Sequence, residues 1–260
     1  MINLSKSLTP FLLLFFGIVS ISLSSCKDDD RDPEVDCTAF EWGYEGDEGP
    51  SHWAECTVDC GGTVQSPVDL KGEVADAALM SLGTHFEEVP VEVINNGHTV
   101  EFEYEAGSTF TVNGEDFDLL QFHFHTESEH TVNGTHYAME AHLVHKNTTT
   151  GALAVIGIFF EEGAENAFLK NFSDNLPASK DDHFSDATTH VNVADLLPAD
   201  NSYFTYSGSL TTPPCSEIVT WFVMKTPVTA SAAQIDAFHT IMHDNNRPVE
   251  DINGRVISSF

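Results

Sequence analysis

Positive charge is what this chain has least of. Ten lysines and arginines stand against 41 aspartates and glutamates, a formal net charge of −31 at pH 7. Nucleic acids and anionic lipid surfaces are held mainly by Lys and Arg, so the balance argues against both as ligands. Long apolar runs are also scarce. The one that stands out, residues 11–23, is too short for a confident membrane span. No Gly/Ser-rich or Pro-rich linker divides the remaining length and no segment repeats, which leaves one domain with a sizeable core. His-Glu-x-x-His does not occur, which disfavours a zinc protease.

The N-terminus has its own character. Lys6 followed by the apolar run reads as a targeting leader over residues 1–25. Leu23-Ser24-Ser25-Cys26 resembles a bacterial lipoprotein cleavage site, where the cysteine is lipidated and becomes the mature terminus. An ordinary signal peptide containing a cysteine is the alternative. Lys27-Asp28-Asp29-Asp30 resembles an acidic export tag of surface lipoproteins in some Gram-negative bacteria, and a solvated acidic linker reads the same way. The expectation is a leader over 1–25, an acidic tether over 26–36 and one domain over 37–260. The chain is expected to be exported and lipid-anchored to the cell envelope, at the outer membrane, with surface exposure as one arrangement. Membrane contact comes only through the lipid on Cys26, and the protein is a monomer or homodimer. Cys37, Cys56, Cys60 and Cys215 remain. An even number in an exported chain implies two disulfides, with three pairings that spacing alone does not separate.

Strand-like runs dominate the rest. Alternating or β-branched segments fall at 89–94, 99–104, 109–112, 118–125, 137–145, 153–160, 203–207 and 218–226. Asn96-Gly97, Asn113-Gly114 and Asn133-Gly134 mark turns between several of them. Helical spacing is confined to 165–175, 192–197 and 230–244, with Ser231 as N-cap of the last. This pattern predicts an α+β single domain built on a large central, mostly antiparallel β-sheet with short peripheral helices.

Residues 121–145 carry the chemistry. His123 and His125 are two apart, so on a strand both imidazoles face one way while Phe122 and Phe124 fill the other face. His142, in the next strand-like run, supplies a third imidazole. Three neutral histidines leave a tetrahedral Zn²⁺ with one open position, the pattern of a catalytic site. Gln121 precedes His123 by two and Glu140 precedes His142 by two, where each orients its histidine from the same strand face. In a chain with thirteen histidines some close pairs arise by chance, and His130, His136 and His145 are candidates for structural roles.

Six motifs occur in one order: Gln65-Ser66-Pro67-Val68-Asp69, Asn96-Gly97-His98, Gln121-Phe122-His123-Phe124-His125, Ser128-Glu129-His130-Thr131-Val132, Glu140-Ala141-His142-Leu143-Val144-His145 and Gly208-Ser209-Leu210-Thr211-Thr212-Pro213-Pro214. Together they resemble the α-class carbonic anhydrases over roughly residues 42–260. The resemblance implies a twisted sheet of about ten strands. It also implies reversible hydration of CO₂ to bicarbonate and a proton by zinc-bound hydroxide on His123, His125 and His142. Thr211 then accepts a hydrogen bond from the hydroxide, Glu129 takes the threonine's proton, and His98 shuttles the released proton through a short water chain. Val144, Val155, Leu210, Val219 and Trp221 form the apolar wall for CO₂, and Thr212 contacts bicarbonate. The resemblance pairs Cys60 with Cys215, which leaves Cys37 with Cys56.

Departures from the family form are also visible. Thr126, Lys146 and Asn246 stand where tryptophans are common, and Glu101 lies near the expected cavity where a neutral residue is common. A catalytically silent binding module on this fold would typically have lost a zinc histidine. A zinc-storage protein would offer several weak sites instead of one tight one.

Overall fold

Alternation of apolar and polar residues builds the sheet strand by strand. In β1 (Val89–Asn95), Val89, Val91 and Val93 are buried while Glu92 faces out. β2 (Val100–Glu103) buries Val100 and Phe102 and turns Glu101 and Glu103 to the other face. β3 (Glu115–His125) and β4 (Met139–Lys146) follow, then β5 (Leu153–Glu162), β6 (His183–Val191), β7 (Tyr203–Gly208) and β8 (Val219–Met224). In this computed structural model, which describes residues 37–112 and 114–260, the described residues form one compact unit. The expected leader, the tether and Cys26 lie outside the described residues.

Across the sheet the order is β6-β1-β2-β3-β4-β5-β8-β7, extended by the two-residue strands Ser258–Ser259 and Val74–Ala75. Gly83–His85, Thr109–Val112 and Val228–Ala230 attach at its sides to complete thirteen strands. The eight long strands join antiparallel except β5 with β8, which run parallel from Leu153↔Val219 to Gly157↔Val223. The sheet is therefore mixed, within the α+β class that the sequence implies. β5 reads as a continuous apolar run because both its faces are covered: Ala154 to Phe160 are all buried. One face packs Phe102, Phe122, Phe124, Phe160, Phe172 and Phe238 into the main core. A second cluster gathers Val155, Phe204, Val219, Trp221 and Val223.

The helices fit the sequence less evenly. Ala232–Met242 is an α-helix, and Ser231 forms a reciprocal capping box with Gln234. Residues 165–175, expected as a helix, instead form two 3₁₀ turns, Leu169–Asn171 and Ser173–Asn175. Asn166 Oδ1 accepts from the Phe168 and Leu169 amides at 3.0 and 3.1 Å, taking up donors that a helix would have left for its cap. Residues 192–197 likewise tighten to the 3₁₀ turn Val193–Leu196, capped by Asn192. β6 was not anticipated. It is an edge strand whose mostly exposed residues lack the apolar alternation, and its pairing with β1 is broken between Asp186 and His190.

Both disulfides form, Cys37–Cys56 and Cys60–Cys215. The second joins the segment before Gln65 to the loop that carries Thr211 and Thr212. None of the described helices is long and apolar enough to cross a membrane.

Candidate metal centre

The register of β3 against β4 assembles the site. Phe122 and Phe124 go into the core, so His123 and His125 emerge on the opposite face. Antiparallel pairing then sets His142 directly across from His123, and Glu140 across from His125. The ligand atoms of the three histidines all lie within 4.8 Å of one another.

Each ring has one nitrogen already engaged. His123 Nδ1 lies 2.9 Å from Gln121 Oε1, His125 Nδ1 lies 2.8 Å from the Asn245 carbonyl, and His142 Nε2 lies 3.0 Å from Glu140 Oε1. All three partners are acceptors, so each engaged nitrogen carries the proton. The lone pairs are then left on His123 Nε2, His125 Nε2 and His142 Nδ1. His125 Nε2 is buried with no hydrogen-bond partner. A buried nitrogen in that condition costs free energy unless a ligand engages it. Burial, and then the neighbouring histidines, hold His123 well below its ordinary pKa. His125 is lowered chiefly by burial. Three neutral imidazoles with convergent free lone pairs fit a tetrahedral dication with one position open.

A buried polar network holds this arrangement from behind. Glu140 Oε1 also meets His130 Nδ1 at 2.7 Å, Glu140 Oε2 accepts from the His130 amide at 2.9 Å, and His130 Nε2 reaches Tyr206 Oη at 2.6 Å. Burial alone would raise the Glu140 pKa. The favourable electrostatics and hydrogen bonds that the His130 and His142 N–H groups offer outweigh it and hold the carboxyl well below the usual range. His130, Glu140 and His142 also cluster closely enough to suggest a second metal site. Their facing atoms are spent on one another, so the cluster is a support for His142. Gly157 of β5 stands opposite His142 of β4, and a Cβ there would come within 2.9 Å of Glu140 Oε1. Only glycine leaves room for that carboxylate.

Glu129 is fully buried, and its Oε1 accepts from the Arg247 amide at 2.9 Å. Its Oε2 lies 3.8 Å from His142 Nδ1 and has no hydrogen-bond partner, so the hydrogen bond expected from Thr211 does not close on that oxygen. Thr211 is 5% exposed and follows a loop pinned by Trp221 Nε1 donating to the Ser209 carbonyl at 3.1 Å. Val155, Val219 and Trp221 cluster with Val144 and Leu210, and the Trp221 ring stands edge-on to His142 with 4.7 Å between centroids.

A small cavity of about 110 Å³ opens on His123 and His125. His98, Glu101, Gln121, His123, His125 and Thr212 line it, together with Trp42 and Tyr44. His98 stacks flat on Trp42 at 3.7 Å, and burial followed by the Lys180 charge lowers its pKa. A separate cavity of about 690 Å³ is lined by none of these residues. Thr126 and Asn246, two of the positions where the family form favours tryptophan, both line a further cavity of about 580 Å³. Lys146, the third, is exposed.

Sequence reasoning passed over Asn245, Arg247 and Tyr44. Asn245 receives His125 on its backbone carbonyl and donates from Nδ2 to the carbonyls of His98 and Phe124 at 3.1 and 3.0 Å. A backbone acceptor has no residue signature, so nothing in the sequence marks it. Arg247 is buried and donates to Gln65 Oε1, Ser66 O and Cys60 O. Its only sequence signal was its place before Pro248.

Comparison with known proteins agrees with the fold. The family model described as eukaryotic-type carbonic anhydrase matches residues 48–260. A carbonic anhydrase of Klebsiella pneumoniae is 45% identical over 226 residues, covering 84% of this chain and 91% of that one. The structure of an α-carbonic anhydrase from Photobacterium profundum superposes with a TM-score of 0.80 at 40% identity, over 84% of this chain and 100% of the other. The α-carbonic anhydrase from Thermovibrio ammonificans, solved with the inhibitor sulfanilamide, gives the same TM-score and identity over 84% and 98%. The chain belongs to the α, or eukaryotic-type, carbonic anhydrase family. It is an enzyme of that class, and membership supports hydration of CO₂ as its reaction.

Proposed function

We propose that this enzyme hydrates CO₂ reversibly at a single zinc ion held by His123 Nε2, His125 Nε2 and His142 Nδ1. The observation that carries the reading is the hydrogen-bond arrangement: three rings each have one nitrogen tied to an acceptor, and their ligand atoms converge within 4.8 Å. When bound, zinc lowers the pKa of a water in its open position to about 7, a magnitude belonging to this enzyme class rather than measured on this chain, and so supplies hydroxide near neutral pH.

The chain's own groups aim and clear the reaction. Glu129 Oε2, buried without a hydrogen-bond partner, would accept the Thr211 hydroxyl proton. With that proton turned away, Thr211 Oγ1 can only accept from the attacking oxygen, which directs a lone pair of that oxygen at the substrate. Val144, Val155, Leu210, Val219 and Trp221 offer an apolar wall to CO₂, and Thr212 at the cavity rim contacts bicarbonate. His98 takes the proton outward through a short water chain. Its lowered pKa keeps the ring neutral and able to accept at neutral pH. Upstream, the proposal keeps a leader over 1–25, a lipid on Cys26 and a tether over 26–36, on the strength of Leu23-Ser24-Ser25-Cys26 and the acidic run after it. The enzyme would then work at the cell envelope.

Stopped-flow CO₂ hydration on residues 27–260, with metal analysis, tests the catalytic reading. The expected outcome is one zinc per chain and rapid hydration, both lost in His142→Ala. In His98→Ala, turnover falls in weak buffer and recovers in concentrated imidazole. Tight zinc without hydration would overturn the mechanism and leave a silent binding module.

A further inference from the structure

The strand alternation of β2 that buries Val100 and Phe102 sends Glu101 to the face that bears the histidines. The β2–β3 register puts Glu101 directly across from His123, one strand spacing away. Glu101 is half-buried and lines the same small cavity as His98, His123, His125 and Thr212, where it is the only Asp, Glu, Lys or Arg among the described lining residues. Its polar partner is neutral: Asn96 Nδ2 donates to Glu101 Oε2 at 3.2 Å. Asn96 Oδ1 in turn accepts from the His98 and Thr99 amides at 2.9 Å, so the turn is held without an ion pair. Glu103, the next residue on this face, is exposed; burial first, and then its like charge, raise the Glu101 pKa above the ordinary carboxylate value. Lys180 has its stem against Gly97, and it makes no ion pair with Glu101 among the described residues.

A fixed negative charge in that wall treats the two sides of the reaction unequally. CO₂ is neutral and does not feel it, whereas bicarbonate and other monovalent anions must approach it through a narrow, partly dehydrated space. We propose that Glu101 is an anion-discriminating residue: its carboxylate weakens the binding of small monovalent anions, bicarbonate included, at the histidine site while leaving CO₂ unopposed. The inference rests on the zinc reading above. It makes Glu101 a specificity residue that favours product release and resists inhibition by anions.

Glu101→Gln keeps the shape and the acceptor for Asn96 but removes the charge, and Glu101→Asp keeps the charge. Zinc-loaded wild type and both variants are titrated calorimetrically with thiocyanate at pH 7.5 and fixed ionic strength, and their KM for bicarbonate and kcat/KM for CO₂ are measured. In Glu101→Gln the thiocyanate Kd falls by roughly 3–10-fold, the scale of one like-charge contact in partly hydrated space. The bicarbonate KM falls with it, by more than any change in kcat/KM for CO₂, and Glu101→Asp stays near wild type. A thiocyanate Kd within twofold of wild type in Glu101→Gln, or an equal shift in both variants, sinks the proposal. A wild-type protein that binds no zinc, or does not hydrate CO₂, instead sinks the reading beneath it.

Discussion

Glu129 shows how much depends on the chemistry of one oxygen. Oε1 is committed to the Arg247 amide, while Oε2 is buried without a hydrogen-bond partner, 3.8 Å from His142 Nδ1, and is the acceptor proposed for Thr211. Glu129→Gln would keep the Arg247 contact through its amide oxygen but place an N–H where Oε2 was. The Thr211 hydroxyl would then accept from that new amide and donate toward the attacking oxygen, reversing its orienting role. The expected outcome is zinc content equal to wild type with kcat/KM for CO₂ down by about 100-fold. Metal analysis beside stopped-flow rates separates this from ligand loss, and a variant as fast as wild type would remove Glu129 from the relay. The residues of this site differ in how legible they are. Gln121 and Glu140 could be found because they are side chains two places before their histidines on strands. The support of His125 could not, because it is the carbonyl of Asn245, and any residue has one.

At the scale of elements, spacing made β3 and β4 legible but not their alignment. The phases of Phe122, His123, Phe124 and His125 fix which side each residue takes. The register that sets His123 against His142 depends on a shift between Leu119 and Gln121 that no local pattern announces. β6 escaped notice for the opposite reason: an exposed, bulged edge strand needs no apolar alternation. The loop with Thr211 and Thr212 depends on a distant element. Cys60 and Cys215 bridge a sequence separation of 155, against 19 for Cys37 and Cys56. In the loop-closure account each doubling of loop length adds about 0.6 kcal/mol, so the longer bridge should contribute about 2 kcal/mol more than the shorter. Cys60→Ser/Cys215→Ser is therefore expected to lose about 2–5 kcal/mol in denaturant unfolding. Cys37→Ser/Cys56→Ser should lose measurably less. The reverse ranking would show that strain or residual structure, not chain entropy, governs these bridges.

The molecule as a whole carries a large negative charge, and acid should relieve its self-repulsion. A buried group opposes that relief. His145 is fully buried against Phe86 and Phe110, and burial drives its pKa from the ordinary 6.5 to about 4. The folded pKa is depressed, so the unfolded chain takes up the proton first as pH falls below 6.5. Stability is lost progressively from there until the folded group also titrates near 4. At pH 5 this one residue should cost about 2 kcal/mol relative to neutral pH. The buried Glu140 carboxyl is also held low, but its contribution disappears only at lower pH, as the pH falls below the ordinary carboxylate range toward the folded value. The two effects therefore separate along the pH axis. His145→Phe replaces the ring by one that does not titrate, giving up the 2.8 Å hydrogen bond from Nδ1 to the Leu143 carbonyl. At pH 7.5 the variant is expected to be equal to or slightly less stable than wild type. By pH 5 it should have gained on wild type by about 2 kcal/mol, read as the difference in unfolding free energy at each pH. Parallel pH profiles for the two proteins would show that His145 titrates normally in the folded state, and that the acid sensitivity of this enzyme arises elsewhere.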